Sequence, residues 1–267
     1  MPSSFSTFII YLFHDLNGEN PHYFFAINIT IVFVPTSGVD TYQQHHHTMY
    51  MLATSRQTAV FIDIFKSNGV RQTFRKGDFI IRPGDTPPGV FYISQGLVKA
   101  YDITKYNEEN LLIIRKADEV FPLIWALTGE ERSVIYQALA PTTTYQISRE
   151  LLLSFIEKHP DILNPLLDMT VEMYKLHSER ILNLEYRSVR ERIISFLITM
   201  SARFGTVTAD GTLIEVPLRH QDIASSINAT RETTSRELSA LERKGLLLNK
   251  QSLILLKDIP ALLKLLN

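Results

Sequence analysis

Cysteine is missing from the 267 residues of this chain. With it go thiolate nucleophiles, disulfides, sulfur-ligated zinc and cysteine-held iron-sulfur clusters. Histidine is present but unevenly spread: His14, His22, His45, His46, His47, His159, His177 and His220, with none between residues 48 and 158. Long apolar runs are lacking too. Residues 5–13 and 23–34 are strongly apolar, but a polar stretch from Asp15 to His22 separates them, and a run of about twelve residues does not span a bilayer as a helix. No Lys or Arg precedes Arg56, so the basic start of a secretory signal is absent as well. No membrane is expected as a partner.

What is there is 45% hydrophobic and 21% charged, a composition that buries a core rather than staying disordered. The net charge of -1 averages three unequal parts. Residues 1–55 carry three acids (Asp15, Glu19, Asp40) and no base; residues 56–186 carry 15 bases and 17 acids; residues 187–267 carry 12 bases and 8 acids. The basic last third suits a polyanion. Residues 1–48 form an atypical apolar extension whose His45-His46-His47 run beside glutamines reads as a low-complexity linker. This extension is expected to be poorly ordered, or untranslated in the cell with synthesis starting at Met49 or Met51.

Residues 55–160 read as a strand domain. Short runs at 71–74, 79–81, 89–93, 97–101, 111–114, 133–139 and 144–147 alternate with Lys76-Gly77-Asp78, Pro83-Gly84-Asp85, Pro87-Pro88-Gly89 and Gln95-Gly96. Gly supplies positive φ and Pro presets φ in such turns, and many short strands at this spacing predict an antiparallel roll or barrel. A metal enzyme of the cupin kind would place histidines inside such a roll. None is available here, so neither a metal nor a catalytic site is expected.

Ser148 or Arg149 opens a helix that ends near His159-Pro160, and a longer one fills residues 161–186. Two apolar seams run along it: Leu166, Met169, Met173 and Leu176, then Leu167, Thr170, Tyr174, His177, Ile181 and Leu184. One seam can pack on the roll while the other meets a symmetric partner. Met169, Thr170, Met173, Tyr174, His177 and Ile181 are the expected homodimer seam, and a single buried core helix is the competing reading.

Residues 187–267 begin with an amphipathic helix closed by Gly205. Ile223, Ala224 and Ile227 give the next helix one inward face, Asn228 suits a left-handed turn, and Thr230 is a good N-cap for a second helix anchored by Leu238 and Leu241. Arg231, Glu232 and Arg236 fall on its outward side, where Arg bonds guanine O6 and N7 and Glu accepts from cytosine N4. Thr230, Thr233, Arg219, His220 and, on a following wing, Lys250 are the candidates for phosphate contact. A plain helical hairpin with solvated charges is the bland alternative.

The run Thr230-Arg231-Glu232-Thr233-Thr234-Ser235-Arg236, with the roll glycines Gly77, Gly84 and Gly96, resembles the cAMP receptor protein and fumarate-nitrate regulator superfamily of bacterial transcription factors over roughly residues 60–257. The resemblance implies an α+β fold: an antiparallel, cyclic-nucleotide-binding-like β-roll, a long dimerisation helix and a C-terminal winged helix-turn-helix. It implies a cytoplasmic homodimer that reads a TGTGA-like half-site repeated as a palindrome in double-stranded DNA through Arg231, Glu232 and Arg236, with RNA polymerase as a further partner. In cyclic-nucleotide-binding members a Gly-Glu pair holds the ribose and a later Arg-Ser meets the phosphate. This chain keeps Arg132-Ser133 but reads Phe121-Pro122 where Gly and Glu belong, which leaves the sugar hydroxyls without their acceptor. Cyclic AMP is therefore not expected. Phe121, Pro122, Arg132 and Ser133 remain the candidate pocket for an unidentified small effector, the alternative being a roll that transmits no ligand signal, and no cofactor is expected. The alternative function is a cyclic-nucleotide-binding module whose helical tail makes protein contacts; an enzyme comes third, with no nucleophile, base or metal set.

Intact-mass measurement of the chain isolated from its cells tests the extension: the expected N-terminus is Met49 or Met51, and a terminus at Met1 or Pro2 excludes an internal start.

Overall fold

The computed structural model describes residues 53, 55–250 and 252–266. The expectations for residues 1–48 lie outside them. A helix α1 (Ser55–Asn68) leads into eight strands, β1 (Val70–Phe74), β2 (Phe79–Ile81), β3 (Val90–Gln95), β4 (Val98–Ile103), β5 (Glu109–Arg115), β6 (Val120–Phe121), β7 (Ile135–Ala138) and β8 (Thr142–Ile147), with a short helix α2 (Leu123–Thr128) between β6 and β7. They form two antiparallel sheets, ordered β1-β8-β3-β6 and β2-β7-β4-β5.

The run Val90-Phe91-Tyr92-Ile93 shows why this roll needs helices outside it. In β3 successive side chains point to opposite faces, and all four are buried. Phe91 and Ile93 face the other sheet, where Phe91 stacks on Phe121 at 5.2 Å and Phe121 on Tyr136 at 4.7 Å. Val90 and Tyr92 face outward, into a cluster with Phe61, Ile64 and Phe65 of α1, Leu152 and Leu166. Full burial of each such side chain contributes about 1.5–3 kcal/mol.

Among its passages between the two sheets, the chain crosses at Gly96, between β3 and β4, and again between β7 and β8. Gly96 has φ +97°, and a Cβ there collides with the Pro141 carbonyl oxygen and the Thr142 side chain. The corner is held by hydrogen bonds from the Leu139 amide and the Thr142 hydroxyl to the Leu97 carbonyl, at 2.8 and 3.1 Å.

Helix α3 (Arg149–Lys158) starts where expected, with the Ser148 side chain accepting from the Leu151 amide at 3.1 Å. A 3-10 turn (Pro160–Ile162) then leads into α4 (Leu163–Tyr186), 24 residues and so about 36 Å long. Arg187 and Ser188 are extended, and Ser188 and Glu191 form a capping box that starts α5 (Val189–Phe204). There follow β9 (Gly205–Thr208), β10 (Gly211–Ile214), α6 (His220–Ser226), α7 (Arg231–Arg243), β11 (Leu247–Lys250), β12 (Leu253–Leu256) and α8 (Ile259–Lys264). The third sheet has the order β11-β12-β10-β9.

The two halves share a core across β5. Its pairing with β4 slips between Ala100 and Tyr101, leaving Leu112 as an extra residue. Such a bulge breaks the alternation of faces, so Leu111 and Ile114 both turn to the cluster of α5, α6 and α7 while Ile113 packs between the roll sheets. Among the described residues no helix is long and apolar enough to cross a membrane.

Gly96→Ala adds a Cβ at a left-handed φ against backbone. It is expected to destabilise the chain by about 1–3 kcal/mol, read as a lowered midpoint in thermal or urea unfolding, whereas Gly77→Ala, whose Cβ meets nothing within 4 Å, costs only the strain of its φ.

Candidate nucleic-acid interface and sensor cavity

Helix α6 is entered through Arg219, whose backbone amide and guanidinium both donate to the Asp222 carboxylate at 2.9–3.0 Å. It ends at Ile227, and Asn228 turns the chain with φ +51°. The Thr230 hydroxyl then accepts from the Thr233 amide at 3.2 Å and caps α7, a bond whose loss typically costs about 1 kcal/mol. Thr234, Leu238 and Leu241 are buried at 0–1% exposure. That fixes the opposite face of α7 outward.

Arg231, Glu232 and Arg236 are exposed on the first two turns of that face. Arg236 is 71% exposed and lies 3.9 Å from Glu237, which receives its shorter bond, 2.7 Å, from Arg190. Thr230 is exposed and Thr233 half-buried beside it. The Arg219 side chain is 63% exposed although paired. His220 is half-buried, and its Nδ1 shares a 2.6 Å hydrogen bond with Ser235 Oγ. Lys250 is exposed at the end of β11, beside the wing turn. Two positions on or beside this face have no role assigned from the sequence: Ser235, one turn from Arg231 and Glu232, and Arg190, which pairs with Glu237.

Helix α4 divides the seam residues. Thr170, Tyr174 and Ile181 are exposed, in line with Leu167, Val171 and Leu184. Met169 and Met173 are instead turned onto the apolar cluster beneath the roll. Their i, i+4 spacing places them with buried Leu166, so they do not belong to the open face. His177 is half-buried and lines a cavity of the roll.

That cavity, of about 90 Å³, is bordered by Arg115, Trp125, Glu130, Arg132, Met173 and His177, with Pro122 and Tyr136. The four expected pocket residues are split. Pro122 and Arg132 line it. Phe121 does not, being stacked between the sheets at 0% exposure, and Ser133 is exposed outside it. Pro122 caps the start of α2, and Gly129 ends it with φ +77°, so the Phe121-Pro122 stretch taken as a failed ribose site is the end of β6 and the entry to a helix of the wall. Among the described residues Arg132 makes no ion pair, and no cluster of three His, Cys, Asp or Glu could hold a metal. Burial first, then the Arg180, Arg115 and Arg132 cations, hold the His177 imidazole below its ordinary range.

The geometry agrees with the comparisons. The Crp-like helix-turn-helix domain family matches residues 191–265, and the cyclic nucleotide-binding domain family matches residues 71–159. The global nitrogen regulator of Nostoc sp. is 31% identical over 198 residues, 71% of this chain and 86% of that protein. The transcriptional activator protein anr of Pseudomonas aeruginosa is 27% identical over 173 residues, 65% and 70% of the two chains. A CooA variant from Carboxydothermus hydrogenoformans has the same fold, with a TM-score of 0.65 at 22% identity over 78% of this chain and 90% of that one.

Because the folded His177 takes up its proton at a lower pH than the unfolded chain does, the unfolded state binds more protons as pH falls below about 6.5. His177 therefore costs stability progressively from that pH down to its lowered folded value. Thermal melts between about pH 8 and about pH 5 are expected to show a shallower acid loss for His177→Gln than for the parent chain.

Proposed function

The chain belongs to the cAMP receptor protein and fumarate-nitrate regulator (Crp/Fnr) family of transcription regulators, and on that footing we propose that it acts as a cytoplasmic homodimer reading a palindrome of TGTGA-like half-sites. The observation that carries this reading is the exposure of Arg231, Glu232 and Arg236 together on the first two turns of α7, whose other face is buried. Arg231 and Arg236 supply forked donors for guanine and Glu232 an acceptor for cytosine. Thr230, Thr233, Arg219, His220 and Lys250 meet phosphates around them. A second copy covers the open face of α4 at Thr170, Tyr174 and Ile181, together with Leu167, Val171 and Leu184, and RNA polymerase is met at the bound promoter.

The roll acts as the sensor for an effector smaller than a nucleotide. Its cavity is about 90 Å³, against about 300–1,000 Å³ for pockets that take drug-sized ligands. This weighs against the cyclic-nucleotide module as the working alternative.

The DNA reading is tested by electrophoretic shift at about 150 mM salt, with TGTGA and TCACA separated by about six base pairs so that their centres lie about one helical turn apart. Binding is expected to exceed that of a scrambled duplex by about 10³-fold or more. Arg236→Ala should lose about 1–3 kcal/mol of discrimination at one guanine. Lys250→Ala should weaken all sequences alike and reduce the salt slope by about 1. Equal affinity for the scrambled duplex overturns the base assignment.

A further inference from the structure

Glu237 follows Arg236 in α7, about 100° further round the helix, on the flank that meets α5. Its side chain is 16% exposed. One carboxylate oxygen, Oε2, accepts from Nε of Arg190, in the first turn of α5, at 2.7 Å. The other, Oε1, lies 3.9 Å from Nε of Arg236, within ion-pair reach but beyond a hydrogen bond. Glu237 therefore stands at the Nε edge of both guanidiniums. Among the described residues neither arginine makes a hydrogen bond through Nη1 or Nη2, and their side chains are 45% and 71% exposed.

The ion pair between Arg190 and Glu237 is not what joins the two helices. Helices α5 and α7 share a buried cluster through Ile193, Ile194, Leu197, Leu238 and Leu241, and a partly exposed ion pair adds little to stability. What the pair does is fix a carboxylate. A glutamate at the edge of a base-reading face is repelled by phosphates unless a cation offsets it. Arg190 supplies that cation and occupies one oxygen, so the other is left to Arg236. Guanine is read by two parallel donors, and a guanidinium held at Nε keeps Nη1 and Nη2 as that pair. Ordering a loose side chain of this kind on contact costs about two- to ten-fold in affinity, a cost that a side chain held beforehand avoids.

We propose that Glu237 is a positioning residue for base recognition: clamped by Arg190 of α5, it holds the Nε edge of Arg236 and aims the terminal Nη1/Nη2 fork at a guanine. This rests on the reading of Arg236 as a base-contacting residue. On DNA the separation from Arg236 closes to a charge-assisted hydrogen bond of about 2.7–2.9 Å, and α5 enters base recognition without touching a base. The carboxylate also sharpens selectivity. It repels phosphate wherever the protein sits on DNA, and the repulsion is offset only where Arg236 finds its guanine.

The affinity of the full-length chain is measured by fluorescence anisotropy at about 150 mM salt for the TGTGA/TCACA palindrome, for a scrambled duplex and for duplexes with a single base pair of each half-site replaced. Arg236→Ala identifies the guanine that Arg236 reads, as the position where replacement ceases to matter. Glu237→Gln keeps the shape and removes the charge. It is expected to bind the scrambled duplex more tightly, yet to lose about two- to ten-fold of discrimination at that one guanine. In the Arg236→Ala background the same substitution should leave the ratio at that position unchanged. Arg190→Ala should lower discrimination at the same guanine and at no other. If Glu237→Gln does not fold, Glu237→Asp, which keeps the charge but withdraws it by a methylene, should lose the same discrimination without gaining affinity for scrambled DNA.

A residue that only supports the fold weakens every duplex alike, and a charge that only repels DNA tightens every duplex alike; either result overturns the proposal. A loss of discrimination that persists without Arg236 overturns it too, and an Arg190→Ala variant with unchanged ratios overturns the clamp. A parent chain that binds palindrome and scrambled duplex equally fails the DNA reading and this proposal with it, whereas a selective parent whose ratios survive Glu237→Gln fails the positioning alone.

Discussion

The carboxylate of Glu119 is the point on which the arrangement of the halves depends. It is 6% exposed and meets a guanidinium from β5 and another from α5, the second of which also grips α4 through Glu172. Buried charges of this kind are stabilising only when every partner is in place, because removal of one leaves the others desolvated and unpaired. β5 is therefore tied to α4 and α5, which lie far from it in sequence, by a requirement that a hydrophobic contact does not impose.

The winged unit was legible in the sequence because its determinants are local. Thr230 as N-cap, Asn228 in the left-handed region and the inward Leu238 and Leu241 are each decided within a turn or two. The strands of the roll were legible too, since Gly and Pro punctuate them. What stayed hidden was which strand faces which. Phe121 and Pro122 are neighbours, yet one is stacked between the sheets and the other opens onto the cavity. Met169 and Tyr174 both fit a heptad seam, and only the position of the roll separates them. Helix α2 was missed because Phe121-Pro122-Leu123 was weighed against a family motif rather than against a proline entering a helix. Arg115, Glu119 and Arg203 gave no pattern, because 84 residues separate the last two.

The basic balance of residues 187–267 pointed toward a polyanion, but several of its arginines are paired within the protein. Arg192 donates to the Ile227 and Asn228 carbonyls, Arg190 to Glu237, Arg219 to Asp222, and Arg203 to the roll and α4. Arg180, from α4, joins Arg192 at the C-terminal end of α6 by donating to the Ser226 carbonyl at 2.8 Å. Cations suit that end of a helix, where the carbonyls are unpaired. These arginines hold α5, α6 and α7 to one another and to the roll.

The bulged strand β5 bears on how such a protein can be inherited. Ile113 belongs to the roll, whereas Leu111 and Ile114 belong to the core of the winged unit. A recombination event that exchanged the C-terminal unit at the Arg187-Ser188 junction would leave two buried leucine- and isoleucine-sized faces without their fitted surroundings. Each mismatch of that kind is worth about 1–3 kcal/mol. Sensor and DNA reader in this chain are thus bound to diverge as a matched pair, with changes along β5 answered by changes in α5 and α6.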